Sequence, residues 1–158
     1  MSNEEPFGVT VWPYNETIKI AKLHDDAILP SRKHVQDAGL DFFALTSTFV
    51  KSNHMRVVRT GITIEIPWTY FGLVKPKSGG DFIIGGGVID AGYQGEILVK
   101  VYNYKETNVI IRAGDPLGQL VLIPIIHPEI KVVDVEDIHV KETDRGETGG
   151  IVDNGDEA

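Results

Sequence analysis

Apolar residues recur at two-residue spacing along much of the chain. In ITIEIP, Ile62, Ile64 and Ile66 fall on one face and Thr63 and Glu65 on the other, which predicts a strand with one wet side. In EILVKVYN, Ile97, Val99 and Val101 form one stripe. Leu98, Lys100 and Tyr102 form a mixed second stripe, more covered than a free surface needs. LVLIPII, Leu120 to Ile126, is apolar without alternation; it predicts a strand covered on both faces, either in the core or at a subunit contact. Turn signals at SGG, GGG, NYKETN and AGDP separate these runs at short intervals, and no eleven-residue amphipathic period appears. The expected fold class is all-β, a sandwich or jelly-roll-like barrel with little or no helix.

Composition bounds the organisation. The 158 residues, 42% of them hydrophobic, suit one compact domain with a real core. We expect an N-terminal arm over 1–17, a β domain over 18–140 and a flexible, glycine-rich acidic tail over 141–158. No apolar run approaches the roughly 20 residues needed to cross a bilayer. The first residues, MSNEEPFGVT, lack a basic stretch followed by an apolar one, so no signal peptide is expected. The absence of cysteine removes disulfides, thiolate nucleophiles and cysteine-ligated zinc and fits a reducing compartment, so the expected location is the cytoplasm.

The net charge of −8 is uneven. From Glu129 onward there are ten acids against three bases, and the preceding residues are almost neutral. An acidic tail repels phosphate backbones, and no basic cluster with interleaved aromatics appears, so nucleic acid is not an expected partner. A small phosphorylated ligand would need a cation.

Four polar clusters stand at the ends of apolar runs: DAGLD (Asp37 to Asp41), PKSGG (Pro76 to Gly80), GGGVIDAGYQGE (Gly85 to Glu96) and AGDPLGQL (Ala113 to Leu120). A fifth, DRGETGG, lies in the tail. Glycines beside Lys77 and Ser78 let backbone amides approach an anion, and the lysine and hydroxyl add a charge and a donor, which suits a di- or triphosphate. The same residues also suit an ordinary turn with an exposed lysine. Asp90 reads either as a turn-capping aspartate or as a buried carboxylate that takes a proton from an attacking water, with Tyr93 presenting a ring face to a sugar or base. Gln119 reads as a ligand for that water or a phosphate oxygen, or as a satisfied core amide. Asp41 suits a magnesium shell or a strand-end cap, and Arg145 a mobile cation or a solvated charge. The five histidines show no metal-ligand spacing. Pro76 stands where a nucleophile elbow needs glycine, which disfavours covalent serine catalysis.

Together and in order, the five segments resemble the motifs of the trimeric dUTPase family, from about Ile18 to Gly150. DAGLDFFAL is similar to its first motif, FGLVKPKSG to its second, GVIDAGYQGEI to its third and AGDPLGQLVLIP to its fourth; TGITIEIP lies between the first and second. The resemblance implies a jelly-roll homotrimer that hydrolyses dUTP to dUMP and pyrophosphate with Mg2+. Carried over position by position, it implies that Asp90 activates the water attacking the α-phosphorus and that Tyr93 lies against the deoxyribose. It further implies that backbone groups around Gly86 and Gly87 read uracil, that Lys77, Ser78, Gly79 and Gln119 hold phosphate oxygens, that Arg145 closes on phosphate from the tail, and that Asp41 supports the metal through water.

Three departures from the family pattern stand out. Lys77 replaces an arginine, keeping the charge and losing the bidentate fork. Only GDFIIGG separates PKSG from GVID, where the family has a longer segment with a short helix. The tail reads RGETGGIVDNG, with Ile151 in place of a phenylalanine and Asp153 among positions that usually carry small hydroxyl residues. A related dCTP deaminase chemistry would need a glutamate where this chain has Lys100. A non-catalytic or regulatory relative that binds nucleotide or a protein partner is the alternative from another class.

Overall fold

The alternation is realised as strands. Ile62, Ile64 and Ile66 are buried and Glu65 is exposed, and Ile97, Val99 and Val101 are likewise buried. The structure, a computed structural model, describes residues 16–138. They form β1 (Lys19–Lys22), β2 (Gly39–Phe43), β3 (Thr48–Val50), β4 (Met55–Arg59), β5 (Ile62–Glu65) and β6 (Tyr70–Lys75). There follow β7 (Ile83–Ile84), β8 (Gly87–Ile89), β9 (Leu98–Tyr102), β10 (Val109–Ile111) and β11 (Pro116–Pro124). The one helical piece among the described residues is a 3-10 turn, Val135–Asp137. The strands and the turn fall in two units, a body up to Ile126 and a segment from His127. The expected arm over 1–17 falls almost entirely outside the described residues. The tail over 141–158, with Arg145, lies wholly outside them.

All strand pairs are antiparallel. A four-stranded sheet runs β2-β11-β6-β8, a three-stranded sheet β4-β9-β7, and two-stranded ribbons pair β1 with β5 and β3 with β10. Phe42 of β2, Val74 of β6 and Leu120 of β11 share one core cluster with Val58 of β4 and with Val99 and Val101 of β9. This all-β, jelly-roll-like arrangement is the one the alternation predicted. Among the described residues no helix is long and apolar enough to cross a membrane.

The expected double coverage is not supplied by the described residues of one chain. On β11 only Leu117, Gly118 and Leu120 are buried, while Val121, Leu122 and Ile123 are half-buried. Leu98 and Tyr102 of β9 keep 47% and 40% of their surface exposed. Met55 and Ile83 both pair with Tyr102 across the ladder and are exposed too, so the outer face of this sheet is largely apolar.

Two turns are fixed by single residues. At the β4–β5 junction Gly61 takes φ +68°, a left-handed conformation that suits glycine, and its carbonyl accepts the Leu23 amide at 2.7 Å. In NYKETN the fully buried Asn103 donates to the carbonyls of Val50 (3.2 Å) and Thr107 (2.8 Å), and its own side-chain oxygen accepts from the Lys105 amide (3.0 Å). The sequence shows the turn but not that its first residue is a buried hub.

Candidate functional site

Antiparallel register assembles the site. Gln119 of β11 stands opposite Asp41 of β2 on one side and Lys75 of β6 on the other. Directly opposed residues share a face of the sheet, so the amide and the carboxylate are neighbours. Beyond β6 the chain turns through Pro76, Lys77 and Ser78. The Pro76 carbonyl accepts the Gln119 side-chain amide at 3.3 Å, and the Lys77 ammonium forms an ion pair with the Asp41 carboxylate. Gly39 makes room for this: a Cβ there would lie 2.3 Å from Gln119 Oε1 and 2.8 Å from its Cβ. The glycine of DAGLD and the glutamine of AGDPLGQL are therefore one packing unit.

These residues line a polar cavity of about 230 Å³, joined by Lys33, Asp37 and Ser78. The Asp37 carboxylate is engaged by the His34 amide at 2.8 Å and caps its own turn, whereas the Asp41 carboxylate is engaged by the Lys77 ammonium at the cavity. A cation, a hydroxyl and an amide converging beside one carboxylate can hold phosphate oxygens. Among the described residues no group of three or more His, Asp or Glu could hold a metal ion. A divalent ion here would rest on Asp41 together with water and ligand oxygens, a donor set that suits magnesium. Lys33 carried no signal in the sequence: it stands four residues before Asp37 in a turn that reads as an ordinary polar loop. A second cavity of about 300 Å³ lies beside the same loop, lined by Lys77, Ser78, Gly79, Phe82 and Tyr104. Near it Lys105 pairs with Asp81, whose hydrogen bond raises the lysine above its ordinary pKa.

The third segment lies elsewhere. β8 is the edge strand of its sheet, and Asp90 follows its last residue at the surface. Asp90 is exposed: an edge strand has no neighbour on its outer side, and no other described residue covers the turn. Gly72 pairs with Ile89, so Asp90 falls level with Phe71, four residues along β6 from the Gln119 row. At about 3.3 Å per residue that is about 13 Å. Gly87 pairs with Val74, and a Cβ on Gly86 would lie 3.2 Å from the Val74 carbonyl, so these glycines begin at the near end and Asp90 sits at the far one.

Tyr93 closes the turn, its amide donating to the Asp90 carbonyl at 3.0 Å and its hydroxyl to the Glu96 carbonyl at 2.8 Å. It lines a separate cavity of about 450 Å³ with Ile20, Ile64 and Gln94. Glu96 was not singled out by spacing. Its carboxylate accepts the Gly61 amide at 2.7 Å and Arg59 Nε at 2.9 Å, partners 35 or more residues away in sequence. The structure thus gathers Asp41, Lys77, Ser78 and Gln119, keeps Asp90 and Tyr93 together, and does not join the two groups within one chain.

A family profile described as dUTPase matches residues 25–150. The chain is 38% identical over 140 residues to the deoxyuridine 5'-triphosphate nucleotidohydrolase of Corynebacterium glutamicum, covering 84% of this chain and 91% of that one. It is 33% identical over 144 residues to the enzyme of the same name from Picosynechococcus sp., covering 87% and 98%. Among solved structures, a variant of the Staphylococcus bacteriophage 80alpha dUTPase with dUpNHpp is similar at a TM-score of 0.75 and 27% identity, over 83% of this chain and 94% of that one. A variant dUTPase from phage phi11 of S. aureus, described for its coordination of a structural Mg(II) ion, is similar at a TM-score of 0.71 and 28% identity, over 77% and 99%.

Proposed function

The chain belongs to the dUTPase family, and from that premise we propose that it hydrolyses dUTP to dUMP and pyrophosphate in a site shared between copies of a homotrimer. The observation that carries this reading is the division of labour: Asp41, Lys77, Ser78 and Gln119 line one cavity, while Asp90 lies about four strand residues away at the end of an edge strand, with Tyr93 in the turn that follows. Two half-sites on one chain become whole sites when a neighbour's edge meets this chain's cavity. The apolar outer face around Met55, Ile83, Leu98 and Tyr102 supports such an assembly.

In this reading Lys77, Ser78 and the Gly79 backbone hold phosphate oxygens, and the Gln119 amide orients a phosphate oxygen or the attacking water. Asp90 of a neighbouring copy, dried by the contact, takes the proton as the water oxygen attacks the α-phosphorus and pyrophosphate leaves. Tyr93 lies against the deoxyribose, where its ring leaves no room for a 2′-hydroxyl, and backbone groups at Gly86 and Gly87 read uracil. Arg145, outside the described residues, adds a cation from the tail. Asp41 would hold Mg2+ through water, and the ion would supply the triphosphate with the charge neutralisation that this nearly neutral body lacks. The relative with dUpNHpp, a dUTP analogue, supports this substrate class. A cytoplasmic location, with no nucleic-acid or membrane partner, belongs to the same proposal.

Pyrophosphate release from dUTP, dCTP, dTTP and UTP with Mg2+, for the wild type and Asp90→Asn, tests it. The expected result is dUTP-selective release, reduced about 100-fold or more by the substitution. A folded trimer that binds dUpNHpp and releases nothing overturns it.

A further inference from the structure

Between Ile89 and Ile97 the chain leaves the sheets and carries Asp90 and Tyr93. Its return is anchored at Ile97, whose amide donates to the Ile62 carbonyl at 2.8 Å and whose carbonyl accepts the Thr60 hydroxyl at 2.7 Å. Upstream of that anchor, Thr63 reaches the Gln94 carbonyl at a long 3.4 Å. The strong tether is Glu96. Its carboxylate, 16% exposed, takes the Gly61 amide on one oxygen and Arg59 Nε across both, at 2.7, 3.2 and 2.9 Å. Charge-assisted bonds of this kind are about twice as strong as neutral ones.

The same residue holds the tyrosine. The Glu96 carbonyl accepts the Tyr93 hydroxyl at 2.8 Å, which lays the ring over Gly95; a Cβ there would meet the hydroxyl oxygen at 2.6 Å. Glu96 is therefore bound to the β4–β5 turn through its side chain and to Tyr93 through its backbone. Gly61, in its left-handed conformation, fixes the direction of the amide that the carboxylate receives.

We infer that Glu96 is a positioning residue that sets sugar selectivity: its carboxylate clamps the loop to Arg59 and Gly61 and so fixes the height of the Tyr93 ring against the sugar. The inference rests on the sugar-facing role proposed for Tyr93. It concerns the deoxyribose-to-ribose preference rather than the hydrolytic step.

The test measures dissociation constants of full-length protein for dUpNHpp and its ribonucleotide counterpart, with thermal unfolding of each variant. Glu96→Ala is expected to lower the deoxyribose preference about tenfold, and Tyr93→Phe, which keeps the ring and loses the tether, to lower it similarly. Glu96→Gln retains an acceptor for the Gly61 amide and is expected to recover most of the preference. Equal weakening for both nucleotides, or an unchanged ratio in a folded Glu96→Ala protein, overturns the inference. So does a wild type without preference. Binding without turnover removes the hydrolytic reading and leaves this one to be decided by the same ratios.

Discussion

Lys77 and Asp41 form an ion pair at a polar cavity of about 230 Å³, with Gln119 directly opposite Asp41 on the adjoining strand. The two side chains keep 33% and 17% of their surface in solvent, so the pair is part-buried and Lys77 is its more open partner. Its charge is available to a ligand. Lys77→Gln is expected to weaken dUpNHpp binding by about tenfold or more and, by taking the partner from a part-buried Asp41, to lower the unfolding midpoint modestly. Lys77→Arg, with a bidentate fork, is expected to bind as tightly as the wild type or tighter. Titration calorimetry beside thermal unfolding checks both; a large loss of stability with intact binding would assign Lys77 to the scaffold.

Gly61 combines positive φ with crowding. A Cβ at that position would lie 2.8 Å from Ala27 Cβ and 3.1 Å from Leu45 Cδ1, inside the core. Gly61→Ala is expected to destabilise the fold by about 2–4 kcal/mol, adding backbone strain to overpacking. Urea denaturation reads the change, and a shift below about 0.5 kcal/mol would contradict it.

Asn103 makes all its side-chain hydrogen bonds inside the protein. Asn103→Ala removes the partners of the Val50 and Thr107 carbonyls and of the Lys105 amide. The expected cost is about 2–3 kcal/mol, seen as a lower thermal midpoint. Asn103→Asp tests the polarity of the site: it keeps the acceptor, loses both donors and places a charge in a fully buried position, so it is expected to destabilise at least as much.

The strands were legible because alternation is a local signal: Ile62, Ile64 and Ile66 reveal their buried face without reference to any partner. The cavity was legible in its parts, since DAGLD, PKSGG and AGDPLGQL each carry chemistry in a few residues. Their meeting was not, because it depends on the pairing of β2 with β11 and of β11 with β6. The place of Asp90 was not legible either: it stands at the end of an edge strand, a property of sheet order that no local spacing carries. Glu96 was missed for a related reason. Its partners Arg59 and Gly61 lie more than 30 residues upstream, and a glutamate followed by an apolar run reads as an ordinary strand start.

The proposed division of the site between copies has a quantitative consequence. Asp90→Asn and Gln119→Ala each damage a different half, so either variant alone is expected to be nearly inactive. A 1:1 mixture, unfolded and refolded together, forms mixed trimers in which some sites combine an intact Gln119 cavity with an intact Asp90 edge from a neighbour. With random assembly about a quarter of all sites are whole, so activity should recover to about a quarter of wild type. Separately refolded proteins that are then combined should show no immediate recovery. If the co-refolded mixture stays inactive while sedimentation shows mixed trimers, Asp90 and Gln119 serve one site from a single chain, and the edge-to-cavity assembly is wrong.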